Sequence, residues 1–416
     1  MNKTIFTGFA PNLKPSDILT AMSFLLLPWK WNDWKNGEAS RAVEKKIERY
    51  LDTESAITFD SGRSALYAAL LSRNISKGDE VMVQAYTCVV VINAIKATGA
   101  TPIYVDADDV FCTSYKSVKA QITPKTKAII IQHTFGTLAE VEKIVSLAKE
   151  KHILTIEDGA HAYGLKSAKK RFAGTFADIG MFSFGSDKSL SCARGGALIT
   201  SNESIEKSLK QIQQQASHVS RYQIFRHLMH FPIFLIGKAT YHVYIGKVLL
   251  KVSRSLRLIN DIISPSEKKG SMPYGSPFKL PNALATILLS QLEDIDAYND
   301  HRKNIANIYN KELLSSIKKP ITKDHISTYL RYPILVKNPK HLHDAAKKEG
   351  ILLGNWYNTV IAPADIEKNN TNYQKGSCPK AEELALTTVN LPTNVTITPQ
   401  KAKRIVEVIN RYYAHR

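Results

Sequence analysis

Apolar and polar positions fall into a regular order from residue 55 onward. "SAITFDSG" is a short apolar run ending in a turn, and "RSALYAALLSR" then spaces its apolar residues as a helix does. "DEVMVQAY" reads as a strand, "TCVVVINAIKATG" as a helix closed by Gly99, and "TPIYVDAD" and "TKAIIIQHTFG" as two further strands. "LAEVEKIVSLAKEKH" sets Leu138, Val141, Ile144, Val145 and Ala148 on one helical face. "ILTIEDGAH", "IGMFSFG" and "GGALIT" are of strand length, and Asn202 is placed to cap the helix expected for "NESIEKSLKQIQQQA". Strands alternating with helices predict an α/β fold whose mostly parallel central sheet is covered by helices. Ligands of such sheets bind beyond the carboxyl ends of the strands. Ser61, His133, Asp158 and Gly185 all lie at or just past a predicted strand end.

The texture changes after residue 220. Residues 221–270 hold nine Lys/Arg and two Asp/Glu. Ile245, Val248, Leu249, Val252, Leu256 and Ile259 follow helical spacing, with Lys247, Lys251 and Arg254 on a second stripe. A basic amphipathic helix over about 239–259 is expected. Further on, "NALATILLSQLEDIDAYNDHRKNIANIYNKELL" predicts one long helix, "TYLRYPILV" a strand and "TPQKAKRIVEVINRYY" a C-terminal helix. Near the start, "ILTAMSFLLLPW" has the length of a signal-peptide core, but "KWNDWK" follows where a small-residue cleavage site would stand, so it reads as a helix of the mature chain. The expected organisation is an N-terminal helical segment (1–35), a large α/β domain (36–220), a basic helical insertion (221–274) and a small C-terminal α+β domain (275–416).

Composition narrows the function classes. The 416 residues carry 56 Lys+Arg against 37 Asp+Glu, a formal charge of +19. That excess suits nucleic acid, an anionic membrane surface or a polyanionic substrate. No DNA-reading basic helix or RNA-binding aromatic signature is present, which argues against nucleic acid. No run of 18 apolar residues predicts a membrane span. Cys88, Cys112, Cys192 and Cys378 form no CxxC pair, which argues against a zinc site and fits a reducing, cytoplasmic setting. Trp29, Trp31 and Trp34 stand beside Lys30 and Lys35, the mix found in interfacial anchors. Together with the basic helix they suggest peripheral contact with the inner face of an anionic membrane.

One lysine stands out. "MFSFGSDKSLSCARGGALIT" ends an apolar run, offers Lys188 among small and polar residues, and enters a second apolar run through Gly195 and Gly196. A lysine becomes a catalytic amine when its surroundings favour the neutral form and an electrophile is at hand. Pyridoxal phosphate supplies the electrophile and an electron sink. Its site needs a carboxylate for the pyridine nitrogen, a phosphate cradle at a helix N-terminus, cover for the ring and a lysine within reach. Asp158 in "IEDGAHAYG" ends an apolar strand and suits the first role. Gly62, Arg63 and Ser64 in "DSGRSAL" enter a helix from a turn, and Ser183 can add a hydroxyl to the phosphate. His161 follows Asp158 by three positions and can reach the ring. Arg63 has a second reading, as the partner of an acidic residue. His133 and Arg194 read as structural rather than catalytic.

The ordered series from "SGRSAL" through "IEDGAHAYG" to "FADIGMFSFGSDKSLSCARGGALIT" resembles the DegT/StrS family of pyridoxal-phosphate sugar aminotransferases, of fold type I. The resemblance is closest over residues 36–220 and continues through "LPNALATILLSQLEDID" and "AEELALTTVNLPTN". It implies Lys188 as the Schiff-base lysine, Asp158 as the pyridinium partner and His161 beside the ring. It places Gly62, Arg63, Ser64 and Ser183 on the phosphate side, and implies a homodimer with active sites at the subunit interface. Three positions depart from the family pattern. Cys88 in "AYTCV" stands where many members have an aromatic residue over the ring, leaving Tyr86 or Cys88 itself to cover it. Pro277 stands where many carry an Asn that reaches the partner's phosphate, and the insertion at 221–270 is long for the family. The implied activity is transfer of an amino group from L-glutamate or glutamine to a nucleotide-linked keto sugar for surface polysaccharide such as O-antigen. Two rivals stand beside it. A dehydratase on this scaffold would carry a histidine in place of Lys188, and a non-catalytic, membrane-associated assembly or regulatory protein has only the Cys88 and Pro277 departures in its favour.

Overall fold

A computed structural model describes residues 4–8, 10, 12–321 and 325–414. Seven strands build the central sheet: β1 (Ser55–Phe59), β2 (Glu80–Gln84), β3 (Thr101–Val105), β4 (Thr126–Gln132), β5 (Leu154–Asp158), β6 (Ile179–Ser183) and β7 (Gly196–Thr200). Their spatial order is β1-β7-β6-β5-β4-β2-β3. The pairs β2–β3, β2–β4, β4–β5 and β5–β6 are parallel. β7 runs antiparallel to both β1 and β6. An apolar run carries no direction, so the reversal of β7 is not written in its residues. It follows from the link: residues 184–195 form no helix, and a parallel return needs a crossover, usually helical. Every residue of β1 and β7 is buried, as strands covered on both faces must be.

The helices that bear on the site are α1 (Pro15–Leu26), α2 (Gly62–Leu71), α3 (Arg221–Ala239) and α4 (Ile245–Ser255). α2 leaves β1 through Ser61, whose hydroxyl accepts the Ser64 N–H at 3.3 Å and caps the helix. β7 begins against this turn. A Cβ on Gly196 would lie 2.4 Å from the Ser61 carbonyl carbon and 2.5 Å from the Gly62 nitrogen, so only glycine lets strand and turn meet.

Two helical expectations are corrected. The single helix expected over about 239–259 is α4 alone, starting at Ile245. The chain breaks before it at Tyr244, which takes a left-handed φ of 66°, and the preceding residues through Ala239 belong to α3. The long helix expected from Asn282 is two, Asn282–Leu292 and Ile295–Glu312. Asp294 sits between them at φ −98° and ψ 1°, its carboxylate held by Lys14. The C-terminal strand Tyr332–Leu335 pairs antiparallel with Thr388–Leu391, and Pro399–Ala414 forms the last helix.

Glu157, on β5, ties the sheet to the loop before β6. Its Oε1 accepts the N–H groups of Phe176 at 2.6 Å and Ala177 at 2.9 Å. Its Oε2 accepts the Gly174 N–H at 2.7 Å and faces His133 Nε2 at 2.8 Å. His133 Nδ1 accepts the Ala139 N–H at 3.1 Å, so the proton of the neutral ring lies on Nε2 and is donated to Glu157. Glu157→Ala strips four buried donors of their acceptor at once. We expect a loss of about 3 kcal/mol or more, read from urea denaturation.

Candidate active site

A cavity of about 740 Å³ opens at the carboxyl ends of the central strands. Asp158, His161, Lys188, Gly62, Arg63 and Ser183 all line it, so residues 126 positions apart in sequence meet in one place (Gly62 to Lys188). Asp158 ends β5 and is buried. The Ala160 N–H donates to its Oδ1 at 3.0 Å, and no described residue donates to Oδ2. Burial pushes its carboxyl pKa up, against the pull of that hydrogen bond and of Lys188. Such a carboxylate is completed by a cation.

Lys188 lies in the link between β6 and β7. Its amide N–H reaches the Gly185 carbonyl at 3.1 Å in a turn, and its backbone carbonyl accepts from Asn12 Nδ2 at 2.8 Å. Arg302, fully buried, grips the adjoining Ser189 carbonyl at 3.1 Å and the Asn12 side chain at 3.3 Å. The backbone is therefore fixed while the side chain enters the cavity. Lys188 Nζ lies 3.0 Å from His161 Nε2 and 4.8 Å from the centre of the Trp356 ring. His161 Nδ1 accepts the Phe135 N–H at 3.2 Å, which leaves the proton of a neutral ring on Nε2. Burial, then the charges of Lys188 and Arg331, hold the imidazole pKa well below its usual range. The two nitrogens are within hydrogen-bond distance, so His161 fixes where the amine stands in the cavity.

The start of α2 is open on the cavity side. The Ser64 and Ala65 N–H groups serve the Ser61 hydroxyl and carbonyl. Those of Gly62 and Arg63 have no acceptor among the described residues, nor does the Ser183 hydroxyl have a partner there. A Cβ on Gly62 would come within 2.8 Å of the Ser183 Cβ, so the cradle is tight. Free N–H groups at a helix N-terminus bind anions. The Arg63 side chain takes its second reading: its guanidinium pairs with Glu267 and donates to the Ile262 carbonyl at 2.8 Å. Burial, then the nearby charge of Arg194, draws its pKa down to about 9. Arg194 itself is joined to Asp60 at 3.3 Å.

Tyr86 and Ser64 do not line the cavity. Tyr86 is fully buried behind its wall, accepting the Tyr357 N–H at 2.9 Å and packing on Phe111 and Phe135. Cys88 does line it, and burial pushes its thiol pKa up. Sequence reasoning missed Arg331 and Trp356. The His161 and Trp356 rings stack at 5.3 Å and 14°, and the Arg331 guanidinium lies 3.6 Å from the Trp356 ring centre. The usable signal for Arg331 was a single charge inside the apolar run "TYLRYPILV". Trp356 and Asn12 belong to no such pattern.

These residues fit pyridoxal phosphate. A buried carboxylate lacks a cation, unpaired N–H groups and a hydroxyl await an anion, and a lysine amine lies between them. The profile of the DegT/DnrJ/EryC1/StrS aminotransferase family matches residues 28–410. A curated relative, GDP-perosamine synthase of Escherichia coli O157:H7, is 30% identical over 387 residues, 91% of each chain. UDP-N-acetyl-3-dehydro-alpha-D-glucosamine 3-aminotransferase of Acidithiobacillus ferrooxidans is 28% identical, covering 90% of this chain and 89% of its own. A solved aminotransferase of Helicobacter pylori, involved in pseudoaminic acid biosynthesis, shares the fold at TM-score 0.76 over 100% of both chains, with 19% identity. The architecture is that of the fold type I pyridoxal-phosphate enzymes. Within that class the chain belongs to the DegT/DnrJ/EryC1/StrS aminotransferase family, whose cofactor is pyridoxal phosphate.

The tightness of the cradle gives a test. Gly62→Ala pushes a methyl group onto Ser183 and disturbs hydrogen bonds to a charged ligand. The dissociation constant for pyridoxal phosphate, followed by fluorescence titration at a temperature where circular dichroism shows the variant folded, is expected to rise about tenfold or more.

Proposed function

We propose that this enzyme transfers an amino group from L-glutamate or glutamine to a nucleotide-linked keto sugar, for surface polysaccharide or lipopolysaccharide synthesis. The observation that carries the reading is the meeting of Lys188, Asp158 and the open start of α2 around one cavity. The names of the two curated relatives, both concerned with amino sugars on nucleotide carriers, support the substrate class. So does the cavity wall, where Arg226 and Arg254 offer charge to a diphosphate.

The geometry supports a role for each residue. Pyridoxal phosphate, when bound, supplies the carbonyl that captures an amine and the electron sink that lowers the barrier to breaking the adjacent C–H bond. The Gly62 and Arg63 N–H groups and the Ser183 hydroxyl would hold its phosphate, and Asp158 its ring nitrogen. Cys88, His161 and Trp356 would bound the space around the ring. Lys188 Nζ would take up and hold the proton that leaves the amino-acid carbon. His161 keeps that amine oriented and withholds water from it. Arg331 offers a buried guanidinium to the carboxylate of the amino-acid donor, since a planar fork matches that anion. A homodimer in the cytoplasm belongs to the same proposal. Among the described residues no helix is long and apolar enough to cross a membrane.

Lys188→Ala is expected to lower the conversion of L-glutamate to 2-oxoglutarate about a thousandfold or more, with the fold intact by circular dichroism. A variant that keeps its turnover would sink the assignment. Arg331→Gln should raise KM for L-glutamate about tenfold or more and leave KM for the keto sugar nearly unchanged, in steady-state assays varying each substrate in turn.

A further inference from the structure

α3 packs between α1 and α4, and the three helices form a layer at the edge of the molecule. The inner side of this layer is ordinary core. Ala21 and Phe24 of α1 join Ile224, Leu228 and Phe231 of α3, and Ile233 and Phe234 meet Leu250 of α4. The outer side is unusual. Leu19, Leu26 and Trp29 are 71%, 65% and 71% exposed, and Ile245, Val248 and Leu256 are 61%, 61% and 62% exposed. α3 adds Tyr222 and Ile236, also exposed, with Phe225, Met229 and Pro232 half-buried between them at helical spacing. Apolar area on this scale, gathered on one layer, marks a surface that meets something.

Charge identifies what it meets. From Arg221 to Asn260 the chain has seven Lys/Arg and no Asp or Glu. Lys247 and Lys251 are exposed on α4 and Arg257 just beyond its end, and Lys247 lies 4.0 Å from the centre of the Tyr244 ring. Lys30 sits between the exposed Trp29 and Trp31. These segments are held together at one end, where Arg221 reaches Asn32 at 3.4 Å and the Tyr222 hydroxyl reaches the Arg257 carbonyl at 3.2 Å. Over residues 15–35 the carboxylates are Asp17, which is buried, and Asp33. A second copy seated by two-fold symmetry would bring this basic, carboxylate-poor face against the same face of its partner. An apolar face edged by lysine, arginine and tryptophan matches an anionic bilayer surface.

We propose that the outer face of the α1–α3–α4 layer seats this enzyme on the surface of an anionic lipid bilayer. The inference goes beyond the catalytic reading and does not rest on it. The inner side of α3 lines the active-site cavity through Arg226, His227, His230 and Phe234, so a seated layer sets that cavity beside the lipid.

The test is co-sedimentation of the full-length protein with phosphatidylglycerol–phosphatidylcholine vesicles and with phosphatidylcholine vesicles, at low and high salt. Binding to the anionic vesicles alone, weakened by salt, is expected. Lys247→Gln with Lys251→Gln should weaken partitioning roughly fivefold per lysine. Ile245→Glu with Val248→Glu should abolish it, with pyridoxal phosphate affinity unchanged in both variants to show an intact fold. No sedimentation of the wild type with anionic vesicles overturns the proposal. So does binding that both double variants retain. A wild-type oligomer that the Ile245→Glu, Val248→Glu variant dissociates in vesicle-free sedimentation velocity also overturns it, because the face is then a contact between copies.

Discussion

Glu157 and Asp158 are neighbours on β5, and the alternation of a strand sends their side chains to opposite faces of the sheet. What meets each of them is different. Glu157 collects three backbone N–H groups and the His133 ring and becomes a structural knot. Asp158 receives one N–H, from Ala160, inside a buried site. A buried anion with so few donors is costly unless a cation stands opposite. The Lys188 link, the stacked His161 and Trp356 rings and the open start of α2 are all arranged around that unmet demand. The first carboxylate holds the strand in place, and the second faces the cavity at its end.

The long segment after residue 220 also has two faces. Its outer side is apolar and basic, while its inner side supplies part of the cavity wall. Arg63 joins the two regions, because the residue that opens the phosphate cradle with its N–H also grasps Glu267 and the Ile262 carbonyl with its side chain. Burial pulls the Arg63 pKa down to about 9, yet the paired carboxylate keeps a guanidinium there. The strong positive charge of the chain is thus unevenly distributed, and much of it lies in the segment that touches both the cavity and the outside.

The sheet and the lysine site were legible in the residues because both rest on local order. Strands β1–β7 announce themselves as apolar runs of the right length, and Ser61, Asp158 and Lys188 stand where such runs end. Strand direction was not legible, since β7 reads the same either way along its residues. Helix breaks at Tyr244 and Asp294 were hidden because the apolar spacing continues across them, while backbone conformation and the Lys14 contact decide the break. Arg302 looks like one more charge on a polar helix, although it is fully buried and clamps the Lys188 link. Trp356 and Arg331 reach the site by folding back from the far end of the chain. Proximity of that kind leaves no local periodicity to read.

The twelve residues 184–195 turn β6 back into β7, and in doing so they carry Lys188 and bring Gly196 against the turn that opens α2. The Lys188 amine and the strand that closes on the start of α2 therefore hang on one short, clamped link. Length changes there would move both together and would be poorly tolerated. The segment after residue 220 is joined to the same frame from the other side, through the grip of Arg63 on Glu267 and the Ile262 carbonyl. A change of length is thereby felt most at the floor of the cavity, which one short link builds, and less at its rim, where residues after 220 supply part of the wall.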